Sequence, residues 1–361
     1  MASNYPLSYK LTWLPRLLKP SLRGDAGAFA PPAQALLRPM PASTVRIAFV
    51  GDISAVANRG LPVVDPALAA ILSGADLIVG NCESPVVRRP AAKVGTRLGL
   101  RHAMTRSFLE GALEAAGVEA RKLVLSLANN HALDQGVEGF DETIATLLEM
   151  GIRPIGTVAK GALARIEAGP LKVGFAAFTQ WRNASREAFS GRVAMDPDGW
   201  LEVGRAGVDL LVAVPHWERE FRHFPQAETR EMARRLASQG VGLIAGHHAH
   251  VVQPVERIGD AVAAYGLGDF LGTVFARQPW PGRIGAIFVA DISTEPEMLG
   301  KVAAYRMQFF YRLREGQRER LLPTEALGGA LRNKVDARLA AIFPAGFEVS
   351  RSAVSGRQSL R

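Results

Sequence analysis

Cysteine is nearly absent from this chain: Cys82 is the only one in 361 residues, which excludes an intramolecular disulfide framework. No uncharged apolar run approaches the roughly 18 residues needed to span a bilayer. The N-terminus also lacks a basic stretch leading into an unbroken apolar core and a small-residue cleavage site, so no secretory signal is expected. Aromatic residues make up 7% of the chain and do not interleave with basic ones in any nucleic-acid-binding module, so no nucleic-acid partner is expected. Acidic residues are thin at both ends. Residues 1–44 hold five Lys/Arg against one acidic residue, and residues 301–361 hold twelve against five. Most of the net charge of +9 therefore sits outside a middle that is close to neutral.

What is present is globular in character: 48% hydrophobic and 21% charged residues suffice for a large core. Residues 1–44 read as a basic, amphipathic appendage. Within it Leu11, Trp13, Leu14, Leu17 and Leu18 mix with Lys10, Arg16 and Lys19, and Pro15 would break a long helix. Such a piece suits either peripheral contact with a membrane surface or docking on the protein's own core.

From Val45 onward, strands and helices alternate. Strands are expected at Val45–Val50, Ala75–Val79, Lys122–Leu127, Arg153–Gly156, Leu171–Phe178, Asp209–Val214, Val241–Ala245, Ala261–Leu267, Ile284–Ile292 and Tyr305–Arg312. Helices are expected at Pro66–Leu72, Ser107–Ala116, Glu138–Met150 and Ala227–Gln239. The pattern predicts one α/β (α+β layered) domain over residues 45–300, followed by a closing strand and a basic tail over 301–361.

Histidine is scarce too, with seven in the chain, yet five of them follow apolar runs. His131 comes after Lys122–Asn130, His216 after Val208–Pro215, and His247, His248 and His250 after Val241–Gly246. Asp52 follows Gly51 at the end of the first strand, and Asn81 and Glu83 close the second. A sheet has no packing reason to place its few imidazoles at strand ends, which is where α/β folds gather ligands. Carboxylate, amide and imidazole donors together suit one or two divalent ions (Mn, Fe or Zn), with no need for sulfur. Cys82 falls between two of these residues and reads as a packed small hydrophobe. His102 and His223 have no strand-end context and read as ordinary histidines.

The order Asp52, Asn81-x-Glu83, Asn129-Asn130-His131, His216-Trp217, Gly246-His247-His248-x-His250, Tyr265-Gly-Leu-Gly268-Asp269-Phe270 resembles the bacterial poly-γ-glutamate capsule-synthesis (CapA-type) family. That family is related to the calcineurin-like metallophosphoesterases, and the resemblance implies a metallophosphoesterase-like β-sandwich flanked by helices. It also implies metal ligation by Asp52, Glu83, Asn130, His216, His248 and His250, with His131 as the general acid. Asn81, Asn129, His247, Glu218, Arg219, Glu220 and Asp269 would lie behind the ligands or face the substrate. The chain departs from the metallophosphoesterase pattern in Asp52-Ile53-Ser54, where Asp-x-His is usual, although capsule-type proteins commonly lack that histidine too; it further departs from the resembled pattern in Glu218, where Gly is usual, and in Asp269, where Asn is more frequent.

The resemblance implies hydrolysis or transfer at a phosphate ester or related anion, in the making of an anionic cell-envelope or capsule polymer. Two further readings fit the residues. One is a metal-containing assembly factor that binds an anionic polymer or lipid without catalysis, and the other is a lipid-precursor phosphatase at the membrane surface. The expected location is the cytoplasm or the periphery of the inner membrane.

Overall fold

Short β-branched runs separated by amphipathic helices assemble into two sheets with helices packed on their outer faces. The computed structural model describes residues 3–24, 31–55, 60–91, 93–96, 99–158, 163–195, 207–272 and 278–347. The larger sheet is built around Thr44–Ser54, which runs parallel to Leu77–Cys82; that strand in turn pairs with Leu123–Ser126, and Arg153–Ile155 follows. On its other side Thr44–Ser54 pairs antiparallel with Ile284–Ser293, then Val302–Glu315 and Arg318–Pro323. In the second sheet Leu171–Thr179, Leu210–His216, Leu243–Ala245 and Ala261–Ala264 run parallel. Inner faces of both sheets are apolar, with Phe49, Val79, Val124, Phe175 and Val212 fully buried between the layers and their helices.

Parallel strands feed helices and return, so their carboxyl ends collect on one side of each sheet. Two glycines let the backbones meet there. A Cβ on Gly51 would lie 1.8 Å from the Gly268 carbonyl oxygen, and one on Gly246 would lie 2.0 Å from that of Tyr265. Neither position has room for any other residue.

The α/β expectation holds, and the expected strands and helices all form, with ends shifted by a few residues. Of the two readings of residues 1–44, the described ones dock on the protein's own core: the helix Leu7–Leu18, called α1 below, packs on the strand ends, and Gln34–Leu36 pairs with Val302–Glu315. Pro15 lies inside α1 without ending it, at the loss of one backbone hydrogen bond, the one its missing N–H would make to the Leu11 carbonyl. Residues 301–361 also hold more than a strand and a tail. Val302–Glu315 and Arg318–Pro323 form a hairpin, and a helix follows at Gly329–Ile342, docked through Val335, Leu339 and Ile342. Its Lys/Arg content masks that apolar face in the sequence. The tail beyond residue 347 lies outside the described residues. No helix among the described residues is long and apolar enough to cross a membrane.

Candidate metal centre

The strand ends bring the candidate ligands together from both sheets. Asp52 and Glu83 arrive from the larger sheet, Asn130 from the loop after Leu123–Ser126, and His216, His248 and His250 from the smaller one. Ligand atoms of Glu83, His216 and His248 lie within 4.8 Å of one another, and so do those of Asp52, Glu83 and His250. Glu83 belongs to both trios. Asn130 joins the first through its Oδ1, 2.8 Å from Nε2 of His216. His248 and His250 sit at φ of 85° and 51°. That left-handed backbone is costly for a side-chain-bearing residue and marks a loop held in shape by its surroundings.

Supporting contacts fix these groups. Asn81 Nδ2 donates to Asp52 Oδ1 at 2.7 Å, and Asn129 Nδ2 donates to Asn81 Oδ1 at 3.1 Å. The Asp52 Oδ2 accepts from the His248 backbone N–H at 3.2 Å. His250 Nδ1 lies 2.7 Å from Asp269 Oδ1, which leaves Nε2 turned toward Glu83 at 3.7 Å. A carboxylate behind a ligating imidazole is the usual way such a ring is oriented. His247 instead reaches the Val50 carbonyl at 3.1 Å.

Electrostatics match the geometry. Burial pushes the Glu83 carboxyl up to about 8, against the pull of His250. Burial also raises Asp52, with His247 and His250 opposing. His216 and His248 are held well below the ordinary imidazole range, first by burial and then by neighbouring histidines, so they stay neutral. Neutral imidazole is the ligating form. Burial opposes charge on His250 too, yet Glu83 and Asp269 together raise it well above the usual value. Burial would likewise depress His131, but Asp134 outweighs it through an Nδ1···Oδ2 contact of 2.6 Å, and the imidazole is raised.

Both oxygens of Glu83 are buried and have no hydrogen-bond partner among the described residues. The His248 Nδ1 is in the same condition. A carboxylate removed from water without partners is strongly disfavoured, and burial beside neutral imidazoles answers to a cation. The donor set therefore fits a divalent metal.

Several contributors carry no signal in the sequence. His102, read as an ordinary histidine, is buried and lies flat on His131, with ring centroids 3.6 Å apart and planes 2° off parallel. Asp134 follows His131 by three residues in a turn, a spacing that could have marked it. Tyr9 comes from α1 and Tyr5 from the residues just before it. The Tyr9 hydroxyl lies 3.0 Å from His248 Nε2, and that of Tyr5 meets the Asn130 side chain. Trp181 stacks on Tyr5 at 5.0 Å. Glu220 is within ligand reach of His248 and His250 and accepts from the Trp13 indole. Glu218 turns away from the cluster: its carboxylate accepts from Gln226 N–H and from the Thr229 hydroxyl at the start of the helix Ala227–Ser238. Arg219 donates to Ser8 on α1, while Arg222 donates to the Phe224 carbonyl. His223 binds the Val252 carbonyl and is structural. Cys82 is buried, with its thiol on the Ser84 carbonyl.

Asp269 is part of a buried ion network that the sequence does not reveal. Arg312, fully buried, donates from Nη1 to Asp269 and from Nε to Glu319, at 2.7 and 2.8 Å. Against the cost of burial, His250 and Arg312 hold the Asp269 carboxyl down to about 2. Replacing Arg312 with methionine leaves the buried Glu319 without its cation and Asp269 with His250 alone. The expected loss of stability is about 3–5 kcal/mol, read from the denaturant midpoint. An unchanged midpoint would contradict the network's role.

Residues 46–273 match the family described as "Bacterial capsule synthesis protein PGA_cap". The chain is 25% identical over 241 residues to the PGA biosynthesis protein CapA of Bacillus subtilis, an alignment covering 62% of each chain. It is 28% identical over 244 residues to the capsule biosynthesis protein CapA of Bacillus anthracis, covering 62% of this chain and 58% of that one. The match thus spans less than two thirds of either relative's length. Among solved structures, a phosphatase from Mycoplasma pneumoniae overlaps 74% of this chain and 94% of its own, at 12% identity. Its TM-score of 0.45 is too loose to argue from. By the extent of the family match, together with the ordered set from Asp52 to Asp269, the chain belongs to the bacterial PGA_cap capsule-synthesis family.

Proposed function

We propose that the protein is a metal-dependent phosphoesterase-like factor, acting on a phosphate ester or related anion in the making of a poly-γ-glutamate-type polymer. The observation that carries this reading is the bare, buried Glu83 carboxylate shared by two ligand trios. Asp52, Glu83, Asn130, His216, His248 and His250 would hold one or two ions of the Mn, Fe or Zn kind. A divalent cation bound there would polarise a phosphoryl oxygen and offset the charge that develops on it.

The chain's own residues do the rest. Asp134 occupies Nδ1 of His131, so the proton this imidazole can deliver to a leaving-group oxygen is the one at Nε2. Its raised pKa keeps that proton available near neutral pH. The Asn129–Asn81–Asp52 chain fixes one carboxylate, and Asp269 fixes His250. Tyr9 on α1 and Tyr5 just before it cover the cluster.

Incubation with Mn²⁺ and a panel of phosphomonoesters and phosphodiesters tests the reading. Phosphate release that stops on chelation is expected. Absence of turnover across the panel, with metal bound, would favour the assembly-factor reading instead. That second reading draws on Ser54, whose hydroxyl meets His102 Nδ1 at 3.4 Å in the position where a ligating histidine would be usual.

A further inference from the structure

The two sides of α1 differ sharply. Tyr9 and Arg16 are buried on one, where Arg16 donates to the Glu220 carbonyl at 2.8 Å and lies over the Tyr9 ring. Leu7, Leu11, Leu14 and Leu18 are 71, 69, 54 and 75% exposed. Their spacing of four, three and four residues places all of them in one narrow row on the opposite side of the helix. The helix cannot roll to bury this row, because its ends and middle are fastened. Asn4 donates to the Gln180 carbonyl at 2.7 Å, Trp13 and Arg16 are held by Glu220, and Ser21 N–H donates to the Phe221 carbonyl at 2.8 Å. Large side chains set at helical spacing on solvent are not needed for the fold, and a contiguous apolar row marks a contact surface.

Charge beside the row selects the partner. Lys10, Lys19 and Arg23 are exposed near it, and no acidic residue occurs among the first 24. Pairing two copies through the row would bring these cations together, which disfavours a dimer. A leucine row bordered by cations is the pattern of a helix lying in the plane of an anionic bilayer, with leucines in the acyl boundary and cations at the headgroups. We infer that the outer face of α1 docks on an anionic lipid surface. The inference does not depend on the reaction, since it rests on the face of α1 turned away from the ligand cluster.

Sedimentation of the full chain with vesicles tests it. Binding is expected to vesicles of mixed phosphatidylcholine and phosphatidylserine, and should weaken with salt and with phosphatidylcholine alone. The double substitution Leu11→Ser and Leu14→Ser, which keeps the charge and touches only exposed side chains, should cut partitioning by about tenfold with an unchanged melting temperature. Lys10→Gln with Lys19→Gln should lower binding to mixed vesicles alone. Three results would overturn the inference: no binding by the wild-type chain; wild-type binding by the leucine variant, which would assign it to the basic ends; or a wild-type dimer that this variant dissolves, which would make the row a contact between copies.

Discussion

Replacing His131 with alanine should lower phosphoester turnover by about 10²–10⁴-fold while metal content stays at the wild-type level. The prediction follows from what His131 touches. It lies outside both Glu83-centred trios, its Nδ1 is taken by Asp134, and one face of its ring is covered by His102. Its raised pKa has a direction that kinetics can read. The protonated form is the acid, so the rate should fall as pH rises through the imidazole's titration, and the alanine variant should lack that limb. Loss of metal together with activity would instead make His131 a ligand.

Asp52→Ala and His248→Ala should each abolish tight metal binding, with elemental analysis finding roughly one or two ions per wild-type chain and almost none in the variants. The same binding should appear as stability. At a free metal concentration of about 100 times Kd, the gain is about 2.7 kcal/mol, absent from both variants. Its pH dependence has a definite sign. In the metal-free chain Glu83 titrates at about 8, above its ordinary value of 4.5. The proton it holds therefore stabilises the fold fully below about pH 4.5, and this contribution is lost as pH climbs toward 8. A cation requires the ionised carboxylate, so its stabilising effect should grow over the same interval. Melting curves with and without chelator, taken from pH 5 to pH 8.5, should diverge steadily. Parallel curves would mean that Glu83 is not a ligand.

Much of the site is legible in the sequence because its members share one cause. Each parallel strand ends where the chain leaves the sheet, and Asp52, Glu83, Asn130, His216 and His248 each stand at such an end. An apolar run followed by a polar donor is a local pattern. His102, Arg312 and Tyr9 act from places that follow no local rule. His102 arrives from a loop before a helix, and Arg312 is one of three arginines on the strand Val302–Glu315, with nothing in the sequence to show that it alone turns inward to Asp269. α1 shows the same limit. Its composition foretells two faces but not that Tyr9 turns inward while Leu7, Leu11, Leu14 and Leu18 turn outward, which is set by the pocket Tyr9 meets. Glu218 errs in the opposite sense, since a carboxylate beside His216-Trp217 looks chemical in one dimension and is occupied by a helix start in three.

The ligands' division between the two sheets has a mechanical meaning. Asp52 and Glu83 are rooted in one layer, His216 and His248 in the other, and only scattered polar contacts, such as that of His247 with the Val50 carbonyl, accompany the apolar packing between the layers. An ion held by these four residues would act as a clasp across the sandwich, joining two halves whose strands do not pair with each other at that edge.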